Sequence, residues 1–275
     1  MNTIPKLKIN QERLDNDCDI KDLFFHSKYR KKIKFFWNQP DQIEIAGIGT
    51  ALISSFSNSQ EFENLSKYYR DIIKTNYETL KDLLSPIIFT VTSFDINRKD
   101  VKNPWLRVPK GTILIPSKIY IKKNKIKKLI TITSNASNKE SENTKINASS
   151  RLDETEKSSK KYFHTIVGKA VKKIAQKNLS KIVLSRQKVL DSNFNTKAQA
   201  NFLLQAETNF PHCVNFIYDF QDKGVFFGVT PETLFKIKDK KLYSEALAGT
   251  FKSSSNMKSL NNPKELDEHN FVVTY

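Results

Sequence analysis

Four runs of β-branched and aromatic residues, at 87–94, 111–115, 118–121 and 128–133, are punctuated by Pro104, Pro109 and Pro116. Short runs of this kind suit meandering antiparallel strands, because proline donates no ladder hydrogen bond and is kept out of the middle of a sheet. One strong helical pattern precedes them: between 60 and 84, Phe62, Leu65, Tyr69, Ile72, Ile73, Leu80 and Leu84 recur at helical spacing until Pro86 stops them. The N-terminal half therefore reads as sheet with one packed amphipathic helix.

Residues 43–52 add a strand interrupted by Gly47 and Gly49. A dinucleotide-binding fingerprint would need glycine where Leu52 stands and a helix directly after it, and neither is present. The glycines are read instead as permitting a bulge or a close approach within a sheet. From 134 to 161 the chain turns to Ser, Asn, Lys and Glu with almost no large apolar residue, the composition of a flexible surface loop. This loop separates a sheet-rich half, 1–133, from a second half, 162–275, within one expected domain.

The second half opens with Tyr162, Phe163, Ile166, Val167, Ala170, Val171 and Ile174 at helical spacing. A strand is expected over 181–186, with Lys181, Val183 and Ser185 on one face, so that the lysine shares its face with apolar and small neighbours. A helix over 198–208 and strands over 213–220, 225–229, 233–237 and 242–246 follow. Hairpins dominate this order, which points to an α+β fold rather than a doubly wound sheet.

At 275 residues with 38% hydrophobic content, the chain can bury a substantial core. No apolar run approaches the roughly 20 residues of a bilayer span, and the N-terminus lacks the pattern of a signal peptide. Cys18 and Cys213 are far apart, which supports neither a disulfide framework nor a zinc site, so a reducing cytoplasm is the expected location. The formal charge of +17 invites a nucleic-acid reading. Its lysines, however, are spread along the chain, and the densest cluster, at 122–128, has no interleaved aromatic residues and lies between two strand-like runs. A solvated hairpin tip is the expectation there, with no nucleic-acid or membrane partner.

The segment Gly228, Val229, Thr230, Pro231, Glu232, Thr233 and Leu234 is followed closely by Ser244, Glu245, Ala246, Leu247, Ala248, Gly249 and Thr250. A Pro-Glu pair, a basic turn and a return strand ending in Ala-Gly-Thr would set one carboxylate beside exposed backbone amides. That arrangement suits an acid working on a small anionic substrate.

These segments also carry a resemblance. The run from Lys181 to Arg186, Phe227 with Gly228 to Glu232, Glu245 to Thr250, and Asp267, Glu268, His269, Asn270, Phe271, Val272 and Val273 stand in the order and spacing of the chorismate-utilising enzymes. The resemblance is closest to the isochorismate synthases. Phe35, Phe36 and Trp37, Pro40 and Asp41, and Ala46 to Gly49 look like that family's N-terminal part. The ammonia-using members typically carry Gln where Lys181 stands and a different run before Gly249, so the resemblance implies water as the nucleophile: water attacks C2 of chorismate as the C4 hydroxyl leaves.

By the same resemblance, Lys181 is the general base and must be neutral when it accepts the proton, a state that burial on an apolar face and a nearby divalent cation would favour. Glu232 is the general acid that protonates the departing hydroxyl. Ala248, Gly249 and Thr250 are substrate-binding residues, and Glu268 is a ligand of Mg2+, whose octahedron water and substrate complete. Read without the resemblance, Lys181 is a solvated strand end, Glu232 a turn glutamate, and Glu268 one of several acids that favour a helix N-terminus near Pro263.

The family pattern continues beyond Tyr275 with a second magnesium-ligand glutamate and substrate-carboxylate-binding arginine and glycine elements, so a truncated chain with little activity of its own is expected. Residues 89–95 also depart from the family, which usually has a glycine-rich strand there. The alternatives are another chorismate-utilising synthase, making salicylate or anthranilate, and a non-catalytic basic protein that binds anions. A monomer is expected.

Overall fold

Alternation along the central strands makes both faces of the sheet apolar: Phe36 and Ala46 point to one side, Phe35 and Ile45 to the other, and all four are buried. Both sides must then be covered. The computed structural model describes residues 4–99, 108–136, 160–186, 194–248 and 262–274. Among these, a seven-stranded antiparallel sheet runs in the order β1 (Leu7–Arg13), β8 (Ile126–Ser134), β7 (Lys118–Lys123), β3 (Ile43–Ile48), β2 (Lys34–Gln39), β9 (Val214–Asp219) and β10 (Val225–Thr230). On the Phe36 side lie α1 (Ile20–Phe25) and α5 (Thr196–Asn209), which bury Ile20, Phe24 and Leu203 against Phe36, Ala46, Tyr120 and Ile217. The Phe35 side packs on a three-stranded sheet, β4 (Leu52–Phe56), β6 (Gly111–Ile115) and β5 (Phe89–Thr92), and on α2 (Ser59–Thr75), through Phe56, Ile72, Leu114 and Ile119. This is the α+β arrangement implied by the hairpin-rich sequence. Strands from both sides of the polar stretch share the large sheet, because β9 pairs with β2.

The first glycine stands where close approach demands it. A Cβ on Gly47 would lie 2.0 Å from Cε1 of Phe35, so the ring packs flat over bare backbone. Gly49, with φ of 68°, makes the left-handed turn between β3 and β4 that a side chain would resist. Both match the close-approach reading of this segment.

The amphipathic helix begins with two reciprocal caps: Asn58 Oδ1 accepts from Glu61 N at 2.9 Å, and Glu61 reaches back to accept from Ser57 N, the residue before the cap, at 2.7 Å. It ends earlier than its periodicity suggests. At Asn76 the helix stops, and a single turn, α3 (Tyr77–Leu80), follows. The buried Asn76 amide accepts from Leu7 N at 2.8 Å and donates to Ile72 O at 2.9 Å and Pro5 O at 3.2 Å. It thereby ties the start of β1 to the end of α2. Asn76→Ala strands these buried backbone groups and is expected to lower stability by about 1–3 kcal/mol, read as a shift in the urea midpoint at unchanged slope.

Other boundaries moved. The expected strand at 181–186 is not formed; those residues follow α4 (Lys160–Ala175) in irregular backbone. The strands expected at 233–237 and 242–246 shrink to β11 (Lys236–Lys238) and β12 (Lys241–Tyr243), a separate hairpin. Of the polar stretch, 137–159 lies outside the described residues. Within the lysine cluster, Lys127 Nζ turns inward and donates to the carbonyls of Asn16 and Cys18. No helix among the described residues is long and apolar enough to cross a membrane.

Candidate active site

Lys181 follows α4 after a turn in which Lys177 adopts a positive φ of 58°. The expectation of an apolar strand face is corrected here: Lys181 is exposed, because residues 181–186 find no neighbouring strand among the described residues. Its side chain nevertheless meets a distant part of the chain. Lys181 Nζ lies 3.5 Å from Glu268 O, at the limit of a hydrogen bond, and 5.9 Å from the centre of the Phe271 ring. Both belong to α6 (Pro263–Val273), which starts as its sequence dictates: Asn262 Oδ1 caps the N–H of Lys264 at 3.1 Å, and Pro263 occupies the first turn, where its missing N–H is not needed.

Glu232 comes just after β10. Its N–H donates to Thr230 Oγ1 at 3.2 Å, which fixes the backbone, while its exposed carboxylate makes no hydrogen bond or ion pair among the described residues. The hairpin beyond it turns at Asp239 and Lys240, with φ of 52° and 62°, a pair of left-handed residues whose twist matches that of paired strands. Ser244 Oγ donates to Leu234 O at 3.0 Å, and Lys236 Nζ donates to Gln42 Oε1 at 3.3 Å, which ties this arm to the β2–β3 turn. Ala248 is half-buried at its end, and Gly249 and Thr250 lie outside the described residues. Leu234, Phe235, Ile237, Leu242 and Leu247 are exposed along the arm.

The structure thus brings together Lys181 and the helix of Glu268. No hydrogen bond or ion pair among the described residues joins Glu232 to either. As for magnesium, Glu268 offers one carboxylate, 38% exposed, whose Oε2 lies 3.6 Å from Lys264 Nζ one turn earlier. No three acidic, His or Cys residues gather for a metal among the described residues. One carboxylate, paired with a lysine of its own helix, can supply a single ligand to a magnesium ion and does not make up a magnesium site by itself.

A second polar group, unmarked by any motif, lies on the large sheet. Lys122, Glu44, Asn38 and Asn215 stand directly opposite one another across β7, β3, β2 and β9. Their sequence signal is polarity at positions that alternate with core residues: Glu44 precedes Ala46 by two, Asn38 follows Phe36 by two and Asn215 precedes Ile217 by two.

An antiparallel sheet of this size with helices and a smaller sheet packed on its faces places the chain in a class of α+β folds. Solved members similar to this chain include MenF, the menaquinone-specific isochorismate synthase from Escherichia coli, with a TM-score of 0.51 and 15% identity over 99% of this chain and 64% of that one. Another is DhbC from Bacillus anthracis, assigned as a 2,3-dihydroxybenzoate-specific isochorismate synthase, with a TM-score of 0.58 and 18% identity over 93% and 61%. The chain belongs to the chorismate binding enzyme family, whose sequence model matches residues 6–275. Among curated proteins, isochorismate synthase MenF of Escherichia coli is 37% identical over 82 residues, 30% of this chain and 19% of that protein. MenF of Haemophilus influenzae is 33% identical over 118 residues, 39% of this chain and 26% of that protein. The chain therefore spans less than two thirds of the length of each of these relatives.

Proposed function

We propose that the protein carrying this chain is an isochorismate synthase that acts in the cytoplasm as a monomer, its two halves parts of one catalytic domain, and feeds menaquinone or a catechol siderophore. The reading rests on four motifs in family order together with the similarity to MenF. The structural observation that carries it is the contact of Lys181 Nζ with Glu268 O at 3.5 Å, which joins two proposed site residues 87 positions apart.

In the proposed reaction, Lys181 takes a proton from water as the water oxygen bonds to C2 of chorismate. The ring double bonds shift, the C4–O bond breaks, and Glu232 gives its proton to the leaving hydroxyl, so that water is added and released in one allylic displacement. Ala248, Gly249 and Thr250 line the substrate, with backbone amide or hydroxyl groups toward its carboxylates. Mg2+ remains the proposed cofactor, with Glu268 as one ligand; when bound it would anchor a substrate carboxylate.

Incubation of the whole protein that carries this chain with chorismate and a magnesium salt, followed by chromatography of the products, tests this. Isochorismate is the expected product. Anthranilate or salicylate would transfer the chain to another branch of the family. Absence of chorismate binding, combined with salt-sensitive retention on heparin, would replace the enzyme reading by that of an anion-binding protein.

A further inference from the structure

We propose that Phe271 of α6 is a positioning residue for Lys181: the face of its ring and the Glu268 carbonyl three residues earlier together hold the lysine amine where it can take a proton from water. The role deepens the isochorismate synthase reading given above and rests on Lys181 being the proton acceptor. Lys181 Nζ lies over the Phe271 ring, 5.9 Å from its centre, and 3.5 Å from Glu268 O. Phe271 stands within the motif run from Asp267 to Val273 but has so far carried no role of its own.

A general base works only when it is held within reach of the proton it removes. Lysine meets that demand poorly on its own, because its stem is flexible and rich in rotamers. The backbone gives little help here. Residues 181–186 run in irregular backbone with no partner strand among the described residues, and Lys181 is exposed. Among the described residues, the contacts that restrain the end of its side chain come from α6.

That helix is suited to the task. Positions 268 and 271 are three apart and so lie on one face. A backbone carbonyl has two lone pairs, so Glu268 O can serve its own helix and still accept from Lys181. At 3.5 Å this bond is at the limit of its range and is a loose guide by itself. The ring supplies the second wall: its face carries partial negative charge and attracts an amine group that sits above it. An uncharged amine that donates one N–H to the carbonyl keeps its lone pair for the proton of water. A small side chain at position 271 would leave the carbonyl as the single guide among the described contacts. Phe271 is 41% exposed, so its ring can be removed without opening the core.

In the whole protein that carries this chain, Phe271→Ala should lower kcat for isochorismate formation roughly tenfold, the scale of a small misplacement of a catalytic group, while KM for chorismate and the urea midpoint stay near their starting values. Phe271→Tyr restores the ring and should recover most of the rate. In the Lys181→Ala background, Phe271→Ala should cost nothing further, because the group it positions is gone. A second readout does not depend on turnover. Protons above an aromatic face are shielded, so the Lys181 methylene resonance nearest Nζ should lie upfield of those of the other lysines and rejoin them in Phe271→Ala. The proposal is overturned if Phe271→Ala leaves kcat unchanged, if KM rises in place of the fall in kcat, if Phe271→Tyr is as slow as Phe271→Ala, if the loss is as large without Lys181, or if the Lys181 resonance does not move. If the whole protein makes no isochorismate, the enzyme reading itself falls and the proposal with it; if it makes isochorismate and any of those outcomes appears, the proposal alone falls.

Discussion

In the whole protein that carries this chain, Lys181→Ala is expected under the proposed reaction to lower isochorismate formation by about a hundred- to ten-thousand-fold, the range for loss of a general base, while KM for chorismate stays near its starting value. The structure makes the result readable as chemistry. Lys181 is exposed and, among the described residues, its ammonium meets one carbonyl and lies over one ring of α6, so its removal should change stability by about 0.5 kcal/mol or less. Lys181→Arg separates two roles that alanine cannot. Arginine keeps a positive charge against the carbonyl of Glu268 but is never deprotonated at working pH, so it cannot accept a proton from water. A rate as low as that of the alanine variant supports the base assignment. An arginine variant with most of the activity would mean that position 181 contributes charge alone, and the proton acceptor would have to be sought elsewhere.

The other large effect concerns the buried pair at the opposite end of β2. Lys34 and Asp219 face each other across β2 and β9 at 3.8 Å, with side chains only 5% and 12% exposed. Asp219 also accepts from Gln221 N at 2.8 Å, and Lys34 donates to Phe24 O at 3.3 Å while lying 4.6 Å above the Phe24 ring. Asp219→Ala leaves a buried ammonium without its counter-charge and is expected to destabilise by about 3–5 kcal/mol. The double replacement Lys34→Met, Asp219→Leu removes both desolvated charges and should fall close to the wild type. Two destabilised single variants and a nearly neutral double would identify the pair as an obligation of burial; a double as unstable as the sum would refute it.

The pair also shapes the pH dependence of stability. Burial raises the pKa of Asp219 against the opposing pull of Gln221 and Lys34, and burial lowers that of Lys34 against the pull of Asp219. A raised carboxyl contributes stability at low pH that is lost as pH rises through its folded value, and a lowered lysine contributes stability at high pH that is lost as pH falls through its folded value. The double variant should therefore show a flatter curve of stability against pH than the wild type at both ends, measured by urea unfolding.

Periodicity was a good guide wherever an element packs one face. The stripe of Tyr69 and Ile72 locates α2, and the β-branched stretches locate β6, β7 and β8. It failed where partners decide the outcome. Residues 181–186 have the β-branched content of a strand, but strand preference reflects packing against neighbouring strands, and these residues have no partner strand among those described. Strand β1, with the polar run Asn10 to Arg13, has too little apolar content to stand out; it forms because β8 supplies a ladder and Asn76 holds its first residue. The helix stops at Asn76 rather than near Pro86 because that amide serves tertiary bonds that no local pattern encodes. As for the site, the roles of Lys181, Glu232 and Glu268 came from motif order. Their mutual distances depend on long-range contacts, which neither spacing nor composition contains. Asn215 and Glu44 carry no such signal, because a single polar residue in an apolar strand looks like noise until four strands align it with others.

The order of strands in the large sheet has a consequence for the chain during its synthesis. Residues of β1 leave the ribosome before their partner β8, which appears only after roughly 120 further residues, on the order of ten seconds of translation. Strand β2 waits longer still for β9, which follows α5. Throughout that interval the nascent chain carries strand edges with no native neighbour, so the period of translation, rather than the finished fold, is when this protein most needs a chaperone to prevent pairing with other chains.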